Sequence, residues 1–192
     1  MQGSLRVTGD AEADDLVCSD PFALVVALLL DQQVPLTWAF RGPLTLQRRL
    51  GTLDPGKMSR VEVEEVVEAA CRVPAIHRFP AVMARRIHAA AVRVVEVYSG
   101  DAERIWSEAH DADDLHRRLL EFDGFGDEKA KILIAILGKR YGVRPSGWAE
   151  RSAPFSDTTP RTAADIDGPD ALAAVNAWKR SQRAAGKGKQ DG

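Results

Sequence analysis

Between Asp20 and Pro35 the chain reads Asp-Pro-Phe-Ala-Leu-Val-Val-Ala-Leu-Leu-Leu-Asp-Gln-Gln-Val-Pro. From Phe22 to Leu30 no residue is polar, so as a helix this stretch has no face to turn to water and must be covered on all sides. Asp20 supplies an N-cap and Pro21 a first-turn proline, which sets the start of the helix at Pro21 and its end at Leu30. The run is too short to span a bilayer. Any fold this chain adopts must therefore be wrapped around Pro21–Leu30.

The remaining pattern supplies the wrapping, and it is helical. Helices are expected over Asp10–Cys18 and over Leu36–Leu50, the latter ending at Gly51. Ser59-Arg60-Val61-Glu62 reads as a capping box opening a helix to about Arg72. A long helix from Pro80 to Tyr98 puts Met83, Ile87, Ala91, Val94 and Tyr98 on one stripe, with Arg85, Arg86 and Arg93 off it. Gly100-Asp101 ends it and caps a short helix around Trp106. Two further helices, Asp113–Phe122 and Asp127–Tyr141, precede a Gly-, Pro- and Ser-rich loop over Gly142–Pro160 and a last helix over Pro169–Arg183. No strand pattern competes, and the class is all-α.

The turn between Phe122 and Asp127 carries chemistry. Leu115, Leu119 and Phe122 lead into Gly124-Phe125-Gly126, and Ala130, Leu133, Leu137 and Tyr141 continue beyond it at helical spacing. Glycines let a backbone turn tightly and be approached closely, and a helix starting at Asp127 points unpaired amides and a positive dipole end outward. Such an end suits a phosphate. Asp31-Gln32-Gln33-Val34-Pro35 is the second polar feature, delivered to the edge of the core by the apolar helix. Glutamine both donates and accepts, and is long enough to enter a base stack.

Together the two motifs resemble the helix-hairpin-helix/Gly-Pro-Asp (HhH-GPD) superfamily of base-excision DNA glycosylases, in their order and separation. The string Val25–Val34 is similar to the helix end of bacterial 3-methyladenine glycosylases, and the likeness covers about Asp20–Tyr141. It implies a two-lobed helical domain over residues 1–185 with a cleft between the lobes; beyond it, residues 186–192 read as a basic disordered tail. It further implies that the hairpin holds double-stranded DNA and the cleft receives a flipped base. By motif position Gly124, Phe125, Gly126 and the amides through Lys129 would contact a phosphate. Gln32 or Gln33 would fill the gap left by the base, and hairpin carbonyls would suit a K⁺ or Na⁺ ion.

The chain departs from that family in three places. The lysine of the bifunctional glycosylase/lyases falls where this chain has Glu128, with Lys129 one helical position off, so lyase chemistry is not expected. The four C-terminal cysteines of the iron–sulfur members are missing. The window of the family's catalytic aspartate, Pro145-Ser146-Gly147-Trp148, holds no acid. A carboxylate is wanted because a departing base leaves oxocarbenium character on the sugar. Asp31 and Glu150 are the first candidates to supply it, followed by Asp157. Trp148 either stacks on a flipped base or plugs the core. Trp38 and Trp106 are expected in the core or between lobes.

Composition and charge add limits. The net charge of −2 gives no global pull on nucleic acid, but Lys179, Arg180, Arg183, Lys187 and Lys189 make the C-terminal end basic, either a frayed end or a phosphate-binding arm. Cys18 and Cys71 are the only cysteines; they form no disulfide framework or metal cluster and are expected to be inert core residues. Met1-Gln2-Gly3-Ser4 has no signal-peptide character and no apolar run spans a membrane, so a cytoplasmic monomer needing no cofactor is expected. The functions open to this sequence are a monofunctional DNA N-glycosylase, a non-catalytic DNA-binding protein of the same fold, and a helical protein adaptor.

Overall fold

The computed structural model describes residues 2–188 and 190, and among them there are eleven α-helices, one 3₁₀ turn and no β-strand. Helix α1 (Ala11–Ser19) is capped by Asp10, whose carboxylate accepts the Glu12 and Ala13 amides. Helix α2 (Pro21–Leu30) is capped by Asp20 through Phe22 and Ala23, and Phe22 to Leu30 are all buried. Helices α3 (Leu36–Leu50) and α6 (Pro80–Tyr98) pack on it, and α4 (Pro55–Met58) and α5 (Val63–Cys71) pack against α6. Helices α7 (Arg104–Ser107), α8 (Ala112–Leu120), α9 (Asp127–Arg140) and α10 (Trp148–Arg151) follow, then the 3₁₀ turn Ala163–Asp165 and α11 (Pro169–Ala184). α9 packs on α8, α10 and the 3₁₀ turn, and one apolar core runs through both groups of helices.

Several expected features take a different form. Ser59 does not open a helix. Asp54 caps a turn beginning at Pro55, Ser59 ends that turn, and α5 starts at Val63 after Glu62, which lies in the extended region without a side-chain cap bond. Cys71 is exposed, and so is Trp38, whereas Cys18 and Trp106 are buried. The loop over 142–160 contains α10. The tail expected to be disordered falls partly on Lys189, Asp191 and Gly192, outside the described residues. Gly186 and Lys187 fold back onto α11 through bonds to the Arg183 and Gln182 carbonyls.

Two non-local ties position the elements that matter below. Arg49 donates to the carbonyls of Ala69, Arg72 and Pro74 at 2.7, 2.9 and 2.7 Å, gathering the end of α5 and the connector to α6. Residues 3–7 form a strap across the molecule. The Gly3 amide donates to Cys18 (2.8 Å), the Ser4 amide donates to Arg140 (3.0 Å), and Leu5 and Val7 are buried. Tyr141 lies over Gly3, donates its hydroxyl to the Val17 carbonyl at 2.9 Å, and is held by burial well above the usual phenol pKa. No helix among the described residues is long and apolar enough to cross a membrane.

Candidate nucleic-acid interface

The two glycines of the hairpin stand for different reasons. Gly124 has φ +95°, and a Cβ there would sit 3.2 Å from both Arg86 Cδ and Leu29 Cδ2, so conformation and space both call for glycine. Gly126 has an ordinary φ of −102°, and a Cβ there would meet nothing within 4 Å. It is the N-cap of α9 and has no side-chain cap. The turn is anchored by aromatics. Tyr98 stacks on Phe122 at 6.4 Å between centroids, and Phe122 meets Phe125 edge-on at 6.1 Å. Phe125 is thus buried, and only its backbone is available to a partner.

At the start of α9 the Asp127 carboxylate takes Lys131 (2.9 Å) and His116 (3.0 Å). The Lys131 hydrogen bond holds the Asp127 carboxyl below its usual pKa. Burial, aided by the Arg151 charge, holds His116 below its own despite Asp127.

The end of α2 is held by a residue that sequence reasoning missed. His77, 1% exposed, donates from Nε2 to the Gln32 carbonyl at 2.8 Å, while Nδ1 accepts the Phe79 amide at 3.0 Å. With Nδ1 accepting, the ring is the neutral Nε2–H tautomer. Burial lowers its pKa, the Lys129 and Arg78 charges push the same way, and the bond to Gln32 only partly opposes them. Gln33 beyond it has φ +58°, uncommon for a non-glycine residue. Beside His77 lie Trp38 (39% exposed) and Phe79 (46% exposed), with the Arg78 guanidinium 4.7 Å from the Phe79 ring centre. The only sequence signal for this cluster is an aromatic and basic run, His77-Arg78-Phe79, placed just before the proline that starts α6.

The structure brings the two motifs together. Arg86 on α6 donates from Nη1 to Gln32 Oε1 at 3.1 Å, and its Nε lies 3.4 Å from Asp123 Oδ2 in the hairpin turn. Lys129 donates to the Leu29 carbonyl at 3.2 Å, joining the first turn of α9 to the last turn of α2. Its ammonium is turned to the end of α2 and lies 5.8 Å from the Phe125 ring centre. Its side chain therefore serves the joint between the motifs, while the phosphate contact expected at this position belongs to the backbone amide.

The acid candidates separate. Asp31 is the C-cap of α2, half-buried, and among the described residues its carboxylate has no hydrogen-bond or ion-pair partner. Together with Gln33 it lines a groove of about 760 Å³ whose opposite wall is α11. Glu150 is exposed on α10 and does not line that groove. The Asp157 carboxylate is paired with the buried guanidinium of Arg161 at 2.7 Å. Trp148 lies against α9, where its ring fills the space over Gly138, with Arg144 5.5 Å from the ring centre; it too is outside the groove.

Among the described residues no group of three or more His, Cys, Asp or Glu side chains is placed to hold a metal ion. A monovalent cation at the hairpin would use backbone oxygens instead. The Phe122 carbonyl accepts the Phe125 amide at 3.0 Å and keeps a second lone pair, whereas the Leu119 carbonyl takes the Phe122 amide at 3.1 Å and also faces the Glu121 amide. Comparison with known proteins returned no family model, no curated protein and no solved structure that matches this chain.

Proposed function

We propose that this protein binds duplex DNA through the α8–α9 hairpin and is a monofunctional DNA N-glycosylase of the two-lobed HhH-GPD type. The observation that carries the reading is the Arg86 bridge, which sets the Gln32 side chain beside the hairpin turn. Phosphates held at the hairpin would then place the Gln32-Gln33 loop against the bases. Gly126 adds support. Neither its φ nor any neighbour demands glycine, while a ligand approaching the backbone would. Phe79 offers an exposed aromatic face beside the same loop, suited to stacking on a base.

In this reading Asp31 is the acid. As the bond between base and sugar breaks, its carboxylate stabilises the positive charge that develops on the sugar, or accepts a proton from the water that attacks C1′. The protein acts as a monomer without a required cofactor, and a K⁺ or Na⁺ ion on the hairpin carbonyls would steady the turn. The second reading is a non-catalytic DNA-binding protein, favoured by the absence of any acid from Pro145 to Trp148.

The experiment is a panel of duplexes carrying alkylated, deaminated and oxidised bases, scored for alkali-labile sites. Release from one substrate, lost in Asp31→Asn and kept in Glu150→Gln, is the expected result. Salt-sensitive binding with no release from any duplex selects the second reading. Gly126→Glu puts a carboxylate where the phosphate is proposed, at a position that accepts a side chain without a clash. Unchanged DNA affinity in that variant sinks the hairpin assignment.

A further inference from the structure

Helix α11 is the least embedded of the long helices, and Val175 is its one fully buried residue. Its position is nonetheless fixed. Lys139 and Arg140 of α9 pair with Asp165 (2.6 Å) and Asp167 (2.8 Å) just before it, and the Arg161 guanidinium lies 5.5 Å from the Trp178 ring centre. From Leu172 to Gly188 this helix and its end form one wall of the 760 Å³ groove, and residues 31 and 33–37 form the other.

The charge in the groove is lopsided. Lys179, Arg180, Arg183 and Lys187 line it against a single acid among the described residues, Asp31. Among the described residues, Arg180, Arg183 and Lys187 belong to no ion pair, and the buried Gln182 Oε1 on the same wall has no hydrogen-bond partner. Cations crowded along one wall repel one another unless an anion lies between the walls.

The form of that anion follows from spacing. Lys179 and Arg183 stand one helical turn apart, about 6 Å at 1.5 Å of rise per residue, and Lys187 lies past the end of the helix at Ala184. That is a row for a strand, longer than one phosphate needs. The row also has a fixed relation to the hairpin, because Gln33 lines the groove while its neighbour Gln32 is held by Arg86 at the hairpin turn.

We infer that the groove between α11 and the Asp31–Thr37 segment takes the sugar–phosphate backbone of a DNA strand, with Lys179, Arg180, Arg183 and Lys187 on its phosphates. The Gln32-Gln33 loop then stands between two phosphate clamps, the hairpin on one side and α11 on the other. The inference rests on the DNA reading above and adds a second site to it.

The test is fluorescence anisotropy with a 20-base-pair duplex across 50–300 mM KCl, comparing the full chain with the triple variant Arg180→Ala, Arg183→Ala, Lys187→Ala. All three side chains are exposed, so an unchanged thermal melt is the control for folding. Affinity should fall at least about tenfold at 0.1 M salt, and the slope of log K on log salt should shrink by about 2.7, at 0.9 per phosphate lost. Exchanging the arginines for lysine should keep the slope. A wild-type chain that binds while the alanine variant matches it in affinity and slope overturns the α11 clamp alone. A wild-type chain that binds no duplex overturns the DNA reading and the clamp with it. Displacement of the duplex by millimolar dAMP in the wild type but not in the variant marks a small-anion pocket and overturns the strand assignment.

Discussion

His77→Leu is the substitution that most directly probes how the Gln32-Gln33 loop is held. Leucine keeps the apolar bulk but leaves the Gln32 carbonyl and the Phe79 amide without the ring nitrogens they meet at 2.8 and 3.0 Å. An abandoned buried group costs about 1–3 kcal/mol. Both groups here are only partly enclosed, and leucine gains some apolar burial, so a net loss of about 2–3 kcal/mol is expected. The loss should depend on pH. Burial lowers the His77 pKa in the folded chain below its usual value of 6.5, so the unfolded chain takes up the proton first. The contribution of neutral His77 is thus full above pH 6.5 and is lost as pH falls from there toward the lowered folded value, with a limiting slope of about 1.4 kcal/mol per pH unit. His116 is lowered too and adds a slope of the same sign, which the variant retains. Urea unfolding at pH 7.5 and 5.5 reads both quantities, and hydrogen exchange at Gln32–Val34 reads the local loosening. A deficit under about 0.5 kcal/mol, or one that is equal at the two pH values, refutes the reasoning.

Gly42→Ala places a Cβ 2.1 Å from Leu30 Cδ1 inside the core; overpacking of about 1–3 kcal/mol should exceed the helix-propensity gain of about 1 and lower the thermal midpoint. Arg86→Ala should leave the melt nearly unchanged yet weaken duplex binding several-fold by anisotropy, because it frees Gln32 from the hairpin. Gly138→Ala puts a Cβ 2.3 Å from Trp148 Cε3, so the indole must swing out and its emission shift to the red. With Trp148 acting as a plug, duplex affinity stays the same; a large loss of affinity would return it to the base-stacking role.

What could be read from the chain alone was what local rules decide. Asp10 and Asp20 start helices by bonds within their own first turns, Pro21 and Pro80 by their fixed φ at the first helical position, and the α8–α9 turn declares itself through Gly124. The Ser59 box failed because Asp54-Pro55 competes for the same residues and ends its own turn at Ser59, leaving α5 to start later. The role of His77 could not be read from the His77-Arg78-Phe79 run, because its partner is the backbone carbonyl of Gln32, 45 residues away, a group that any residue could present. Arg86 reads as a solvated residue off the apolar stripe until α2 and the hairpin turn are folded against it. Asp31 gains its distinction from Glu150 and Asp157 only through α11, whose basic end carries no mark in sequence of what it faces.

The strap over residues 3–7 bears on how the protein is made. Those residues leave the ribosome before their seat exists, because it includes the Arg140 carbonyl and the Tyr141 ring, which are synthesised more than a hundred positions later. Leu5 and Val7 must wait, apolar and uncovered, until α9 has emerged and packed. At about 5–20 residues per second that wait is on the order of ten seconds. A pause engineered just before α9 should lengthen that exposure and raise aggregation without altering any residue of the finished protein.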